Sequence, residues 1–175
     1  MLNVQIENKM IIRKLSKTDL PLRVEWMNDS RVYSSMHFSV PVLLDNTIRW
    51  YENNMSNATR ADFAFEENGE VVAFGGLTNI NREVNKAELY VFVNPVNHKG
   101  GIGTRATKAM CRYGFEQLGL EKIYLETNED NFAAQHVYEK CGFILEGKFR
   151  KEYRTKDNHL LSRLYYGLLK GELND

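Results

Sequence analysis

Three glycines fall within four residues in "NPVNHKGGIGTRATKAM", residues 94–110, and the stretch runs straight into an alanine-rich helical pattern. A loop so short of side chains can present successive backbone N–H groups to a phosphate, at the positive end of the helix that follows. It can also be a tight turn that Gly101 and Gly103 make between two core elements. Further along, Asn131, Ala134 and Tyr138 recur at i, i+3 and i+7 and so share one face of a helix. Glu88 and Glu126 sit in strand-like runs, where a carboxylate serves as a general base if it faces a cleft and is merely solvated if it does not.

Known phosphate cradles narrow the choice. The loop does not end in Gly-Lys-Ser/Thr, which excludes a Walker A loop. "GIGTRA" matches G-x-G-x-x-A, and Glu121 lies twenty residues beyond Gly101, so a dinucleotide fingerprint has to be weighed. Asn94 and Pro95 interrupt the approach from the strand, however, and three β runs without helical crossovers precede the loop. A dinucleotide fold would alternate helix and strand.

These residues need elements to position them. "MIIRKL" reads as a first strand, followed by Ser16 and Asp19 at capping-box-like spacing and the helix "LPLRVEWM". "NDSRVYSSMHFSV" breaks the pattern, and Asp45 then caps a second helix, "NTIRWYENNM". Two β-rich runs flank Asn68-Gly69, a strong hairpin signal, and "KAELYVFV" leads into the glycine loop. Apolar positions predict a helix over residues 104–118, with Gly119 suited to end it. The strand "KIYLET", the helix "FAAQHVYEK" stopped by Gly142, and the runs "FILEGKFRKEY" and "LLSRLYYGLL" follow. The order β-α-α-β-β-β-α-β-α-β-β predicts an α/β chain, an α+β mixture around one mixed sheet with flanking helices.

A chain of 175 residues with 43% hydrophobic content fits one domain, residues 1–175, that buries roughly 70% of its unfolded surface. Its 23 basic residues balance 23 acidic ones, so net charge suggests neither a nucleic-acid footprint nor a polybasic membrane surface. No signal-peptide or membrane-spanning run is evident, and the expected location is cytoplasmic. Cys111 and Cys141 lack CxxC spacing, the four histidines are scattered, and no metal is expected.

The glycine loop resembles motif A of the GNAT acyltransferases, Q/R-x-x-G-x-G/A, with His98, Lys99, Gly100, Gly101, Ile102 and Gly103 in its six positions; His98 departs from the usual Gln or Arg. "LETNEDNFAAQHVYEKCGF" resembles the family's N-x-x-A-x-x-x-Y-x-K-x-G-F, through Asn131, Ala134, Tyr138, Lys140, Gly142 and Phe143. The resemblance implies a GNAT-like fold and an acetyl-CoA-dependent N-acetyltransferase. The loop from Lys99 to Thr104 would hold the pyrophosphate, Asn131 and Ala134 would lie by the pantetheine arm, and the Tyr138 hydroxyl would meet the thioester sulfur. An amine attacks a thioester only when unprotonated, so a carboxylate is useful as base and the departing thiolate benefits from an acid. Tyr138 fits the acid. Glu126 is the first candidate base, because RimI-type members carry Glu at this distance ahead of the Tyr, and Glu88 is the second; either would face the cleft where two parallel strands splay. A backbone N–H near Val93 would meet the oxyanion.

The Trp26-Met27-Asn28 and Ile48-Arg49-Trp50 segments, the two motifs, "EKCGFILEGKFRKEYRTKDN" and the closing "LYYGLL" together look like the RimJ/RimL-type branch, and within it, through the segment from Trp26 to Trp50, like the PseH-type enzymes that acetylate an amino group on a nucleotide-linked sugar. The branch also holds ribosomal-protein N-terminal and spermidine acetyltransferases. Between Arg31 and Ile48 only Asp45 is acidic, which speaks against a polyamine site. Arg31, Tyr33, His37 and Phe38 suit an anionic, stackable acceptor such as a sugar nucleotide, or else pack a surface loop onto the core. A homodimer, and a GNAT-like module that binds acyl-CoA without turnover, stay open.

Overall fold

In the computed structural model, which describes residues 10–97 and 100–175, twelve regular elements are ordered β1 (Ile11–Lys14), α1 (Leu20–Met27), α2 (Ser30–Met36), α3 (Leu44–Asn54), β2 (Ala61–Glu67), β3 (Glu70–Asn81), β4 (Lys86–Val93), α4 (Ile102–Arg112), β5 (Lys122–Asn128), α5 (Phe132–Cys141), β6 (Ile144–Arg154) and β7 (Leu160–Leu169). The strands form one sheet in the order β1-β2-β3-β4-β5-β7-β6. It is mixed, as expected: β4 and β5 run parallel, and the other pairings are antiparallel.

Strand alternation feeds two cores, because successive side chains point to opposite faces. Phe63, Phe65, Leu77, Leu89, Ile123 and Leu125 pack with α4 and α5 on one face. Ala64, Phe74 and Phe92 pack with Leu20, Trp26 and Val32 of α1 and α2 on the other. Full burial of Phe65, Phe74 and Leu77 stabilises the sheet by about 1.5–3 kcal/mol per side chain.

The feature that makes a site is a fork. The parallel register couples Lys86 to Lys122, Ala87 to Ile123 and Glu88 to Tyr124, and goes no further. Beyond it, β4 stays with β3 up to the Ala73–Val93 pair, while β5 stays with β7 up to Asn128–Arg163. A wedge therefore opens between two strands whose outer edges remain paired.

Several elements depart from expectation. Residues 30–36, read as unpatterned, form α2, because Asp29 caps it by accepting from the Arg31 N–H. Helix α3 starts at Leu44 without a side-chain cap; Asp45 lies in its first turn, where its charge favours the helix dipole instead. Helix α4 starts at Ile102 and gives way to one π turn over residues 113–117, before Gly119 turns the chain at φ +65°. Asn68 and Gly69 both have positive φ and join β2 to β3 as the hairpin signal required.

Candidate active site

Gly101 stands immediately before α4 at φ +71°, with Gly100 before it at φ +74°, angles that cost a side-chain-bearing residue dearly. Having no side chain, Gly101 cannot cap the helix, and the N–H groups of the first turn, at Ile102, Gly103 and Thr104, have no acceptor among the described residues, which suits them to an external one. Arg105 braces the turn: its guanidinium donates to the Gly100 carbonyl and pairs with Glu67 at 2.5 Å. Gly103 is different. It is helical, and a Cβ there would find only ordinary contacts, at 3.8 Å from both Val93 Cγ1 and Val137 Cγ2. The same contacts set the first turn of α4 between the end of β4 and the helix that carries Tyr138. His98 and Lys99 lie outside the described residues.

Val93 ends β4 with its backbone turned toward the wedge. Asn94 N–H donates to Val72 O at 3.0 Å, so the Ala73–Val93 pair is the type that exchanges no hydrogen bonds of its own, and the Val93 N–H points to the opposite edge. Beyond the fork, β5 is no longer there to accept it.

Glu88 and Glu126 both lie on the α1–α3 face of the sheet, on the opposite parity from Leu89 and Leu125. Asn79 Nδ2 donates to Glu88 Oε2 at 2.7 Å. Arg163 Nε stands 3.5 Å from Glu126 Oε2, close enough for charge attraction but not aligned as a hydrogen bond, since that Nε has no partner among the described residues. Tyr138 projects from α5 and is partly exposed where its ring lines the cavity. Its surroundings are nonetheless dense, and burial, with Cys141 and Tyr166 close by, pushes its pKa up to about 12. The phenol therefore keeps its proton at neutral pH. Asn131, by contrast, uses its side chain to cap α5, accepting from Ala134 N–H at 3.2 Å.

A cavity of about 550 Å³ joins these groups: Glu88, Glu126 and Tyr138 line it together with Arg23, Trp50 and Arg60. Of the four acceptor-side candidates, His37 and Phe38 line it and Arg31 and Tyr33 do not. The reason is α2. Once residues 30–36 are helical, Val32, Ser35 and Met36 share the inward face, at i, i+3 and i+4. Arg31 turns out and forms a fork-to-fork pair with Asp29, at 2.8 and 2.6 Å, holding that carboxylate near pKa 2. Tyr33 sits under Lys156, 4.7 Å from its ring centre. His37 Nε2 meets Asn128 Oδ1 at 2.9 Å. Burial, with Arg163 nearby, lowers its pKa.

Residues that the sequence reading missed supply much of the cavity. Arg60 chelates Asp62 at 2.7 and 2.8 Å, and the Tyr90 hydroxyl donates to the same carboxylate. Arg23 is 5% exposed, and its guanidinium carbon lies 5.1–5.8 Å from the ring centres of Trp50, Phe74, Tyr90 and Phe92. Its Nε and Nη1 have no hydrogen-bond partner among the described residues. Cation–π attraction of ~2 kcal/mol for a desolvated pair offsets part of the several kcal/mol that burying an ion costs. It leaves the Nε and Nη1 N–H groups without an acceptor among the described residues. The available signal was an arginine on the buried face of α1, three residues from both Leu20 and Trp26.

Among the described residues no group of three or more His, Cys, Asp or Glu side chains gathers as a metal site, and no helix is long and apolar enough to cross a membrane.

The family model for the Acetyltransferase (GNAT) domain matches residues 9–144. Spermidine N(1)-acetyltransferase of Escherichia coli (strain K12) is 33% identical over 103 residues, 59% of this chain and 55% of the relative, so the match spans about half of that relative's length. Spermidine N(1)-acetyltransferase of Vibrio cholerae is 26% identical over 150 residues, 85% of this chain and 86% of the relative. The crystal structure of the Vibrio cholerae spermidine N-acetyltransferase in complex with CoA and spermine superposes with a TM-score of 0.90, over 95% of this chain and 98% of that one, at 22% identity, a level that speaks for the fold. These relatives do not single out the PseH-type branch toward which the segment from Trp26 to Trp50 pointed.

Proposed function

The chain belongs to the GNAT acetyltransferase family, and from that membership we propose that it transfers an acetyl group from acetyl-CoA to a primary amine by direct attack within a ternary complex. The observation that carries the reading is the fork between β4 and β5, with the open first turn of α4 beside its upper end and the cavity beneath it. The first-turn N–H groups of α4 hold the pyrophosphate. The Val93 N–H faces the thioester oxygen and stabilises the charge that develops there. Glu126, directly or through a water, takes the proton that the amine loses as nitrogen bonds to the acyl carbon, and Glu88 is the alternative base. Tyr138 gives its proton to sulfur as the carbon–sulfur bond breaks, and regains one from solvent.

For the acceptor, the relatives support a polyamine such as spermidine, the class that the sequence reading set aside, and none of those reported is named for a nucleotide-linked sugar. The sugar-nucleotide reading loses two of its four supporting residues, since Arg31 and Tyr33 stand off the cavity. Free-thiol release from acetyl-CoA, screened against polyamines, N-terminal peptides and amines bearing carboxylate or phosphate groups, tests the reading. Amine-dependent thiol release is expected. Binding of acetyl-CoA with no release for any amine would make the chain a non-catalytic acyl-CoA module.

A further inference from the structure

We infer that Arg23 is the anion-binding end of the acceptor subsite, and that the amine acetylated here carries a carboxylate or phosphate group as well as its amino group. The inference rests on the acetyltransferase reading and stands against the polyamine acceptor that the relatives support, so the experiment below decides between the two.

The charge layout of the cavity carries it. Three guanidinium groups and two carboxylates line the space. Arg60 is neutralised by its two-point contact with Asp62, and Arg163 leans on Glu126. That leaves two groups: among the described residues Glu88 is held only by the neutral Asn79 amide, and Arg23 Nε and Nη1 are buried without a partner. A guanidinium keeps its charge in proteins, and the four surrounding rings engage it without supplying a hydrogen-bond acceptor. Its planar fork matches a carboxylate or phosphate in two-point geometry. The cavity is therefore dipolar: carboxylates at the fork suit an ammonium, and Arg23 suits an anion. A polycation would gain at Glu88 and be repelled at Arg23. About 550 Å³ leaves room for a scaffold between the two charges.

The test compares 2-aminoethyl phosphate, β-alanine, n-propylamine and spermidine as acceptors for the wild type, Arg23→Met and Arg23→Lys, with folding checked by thermal melting. Binding of 2-aminoethyl phosphate is followed separately by tryptophan fluorescence, since Trp50 lies 5.3 Å from Arg23. At least one anion-bearing amine should exceed n-propylamine in kcat/KM, and the two arms tell phosphate from carboxylate. Arg23→Met should raise the KM for that amine and weaken its binding by on the order of 10- to 100-fold, with acetyl-CoA affinity and kcat largely kept. Arg23→Lys, which keeps the charge but loses the fork, should fall between, and it carries the test if Arg23→Met does not fold. Equal use of all four amines, a preference for spermidine, or an Arg23 variant that binds 2-aminoethyl phosphate as tightly as the wild type would each overturn the inference. Arg23-dependent binding without thiol release from any amine would leave the anion subsite standing and remove the acetyltransferase reading.

Discussion

Glu88 and Glu126 stand on one face of the sheet on the two strands that part beside them: Glu88 belongs to the last parallel pair, and its partner Tyr124 lies two residues before Glu126. Glu126 is therefore the carboxylate inside the wedge and Glu88 the one at its closed end. Glu126→Gln should lower kcat by about 100-fold, the lower range of general-base assistance. Glu88→Gln should cost less than about tenfold. Rate profiles of both variants check this, and the reverse order would exchange the roles.

Tyr138→Phe should keep acetyl-CoA affinity while lowering turnover by about 100-fold. Equal turnover would reduce Tyr138 to packing against Phe143 and Tyr166, its ring neighbours at 5.8 and 5.9 Å.

The same phenol gives a pH prediction. Burial raises its pKa from 10.0 to about 12, so folding favours the protonated form. That contribution is whole below pH 10.0 and is lost as pH rises through about 12. Urea denaturation at several alkaline pH values should show the wild type losing stability more steeply than Tyr138→Phe over that window. Parallel losses would contradict the burial of the hydroxyl.

The glycine loop separates two substitutions that look alike in sequence. Gly101→Val should abolish acetyl-CoA binding, because valine does not tolerate φ +71°. Gly103→Ala should fold and bind within severalfold of wild type, because its Cβ meets only van der Waals contacts at 3.8 Å. Calorimetric titration with acetyl-CoA distinguishes them. Loss of binding in Gly103→Ala would mean that the ligand itself packs onto that position.

Much of the scaffold was legible because its signals are local. Ser16 and Asp19 announce α1, Asn68-Gly69 turns a hairpin, and "KAELYVFV" bounds β4 to the residue. Seven residues are too few to show helical periodicity, so α2 was missed, although Asp29 was its cap. That single error also misdirected Arg31 and Tyr33. For Arg23 the sequence offered its place between Leu20 and Trp26 on α1 but not its surroundings: the rings around it come from α3, β3 and β4, and only tertiary packing brings them to α1. A splay between two parallel strands was expected and is found, but its position was not legible, since it depends on where a parallel register stops.

In the proposed reaction, acetyl donor and amine meet across that fork and react directly. Initial rates measured while both substrates are varied, with an amine found active in the thiol-release screen, test it most directly. The account predicts intersecting double-reciprocal lines, no thiol release without amine and no acetyl group left on the protein. Parallel lines, with an acetylated enzyme detected by mass spectrometry, would contradict it.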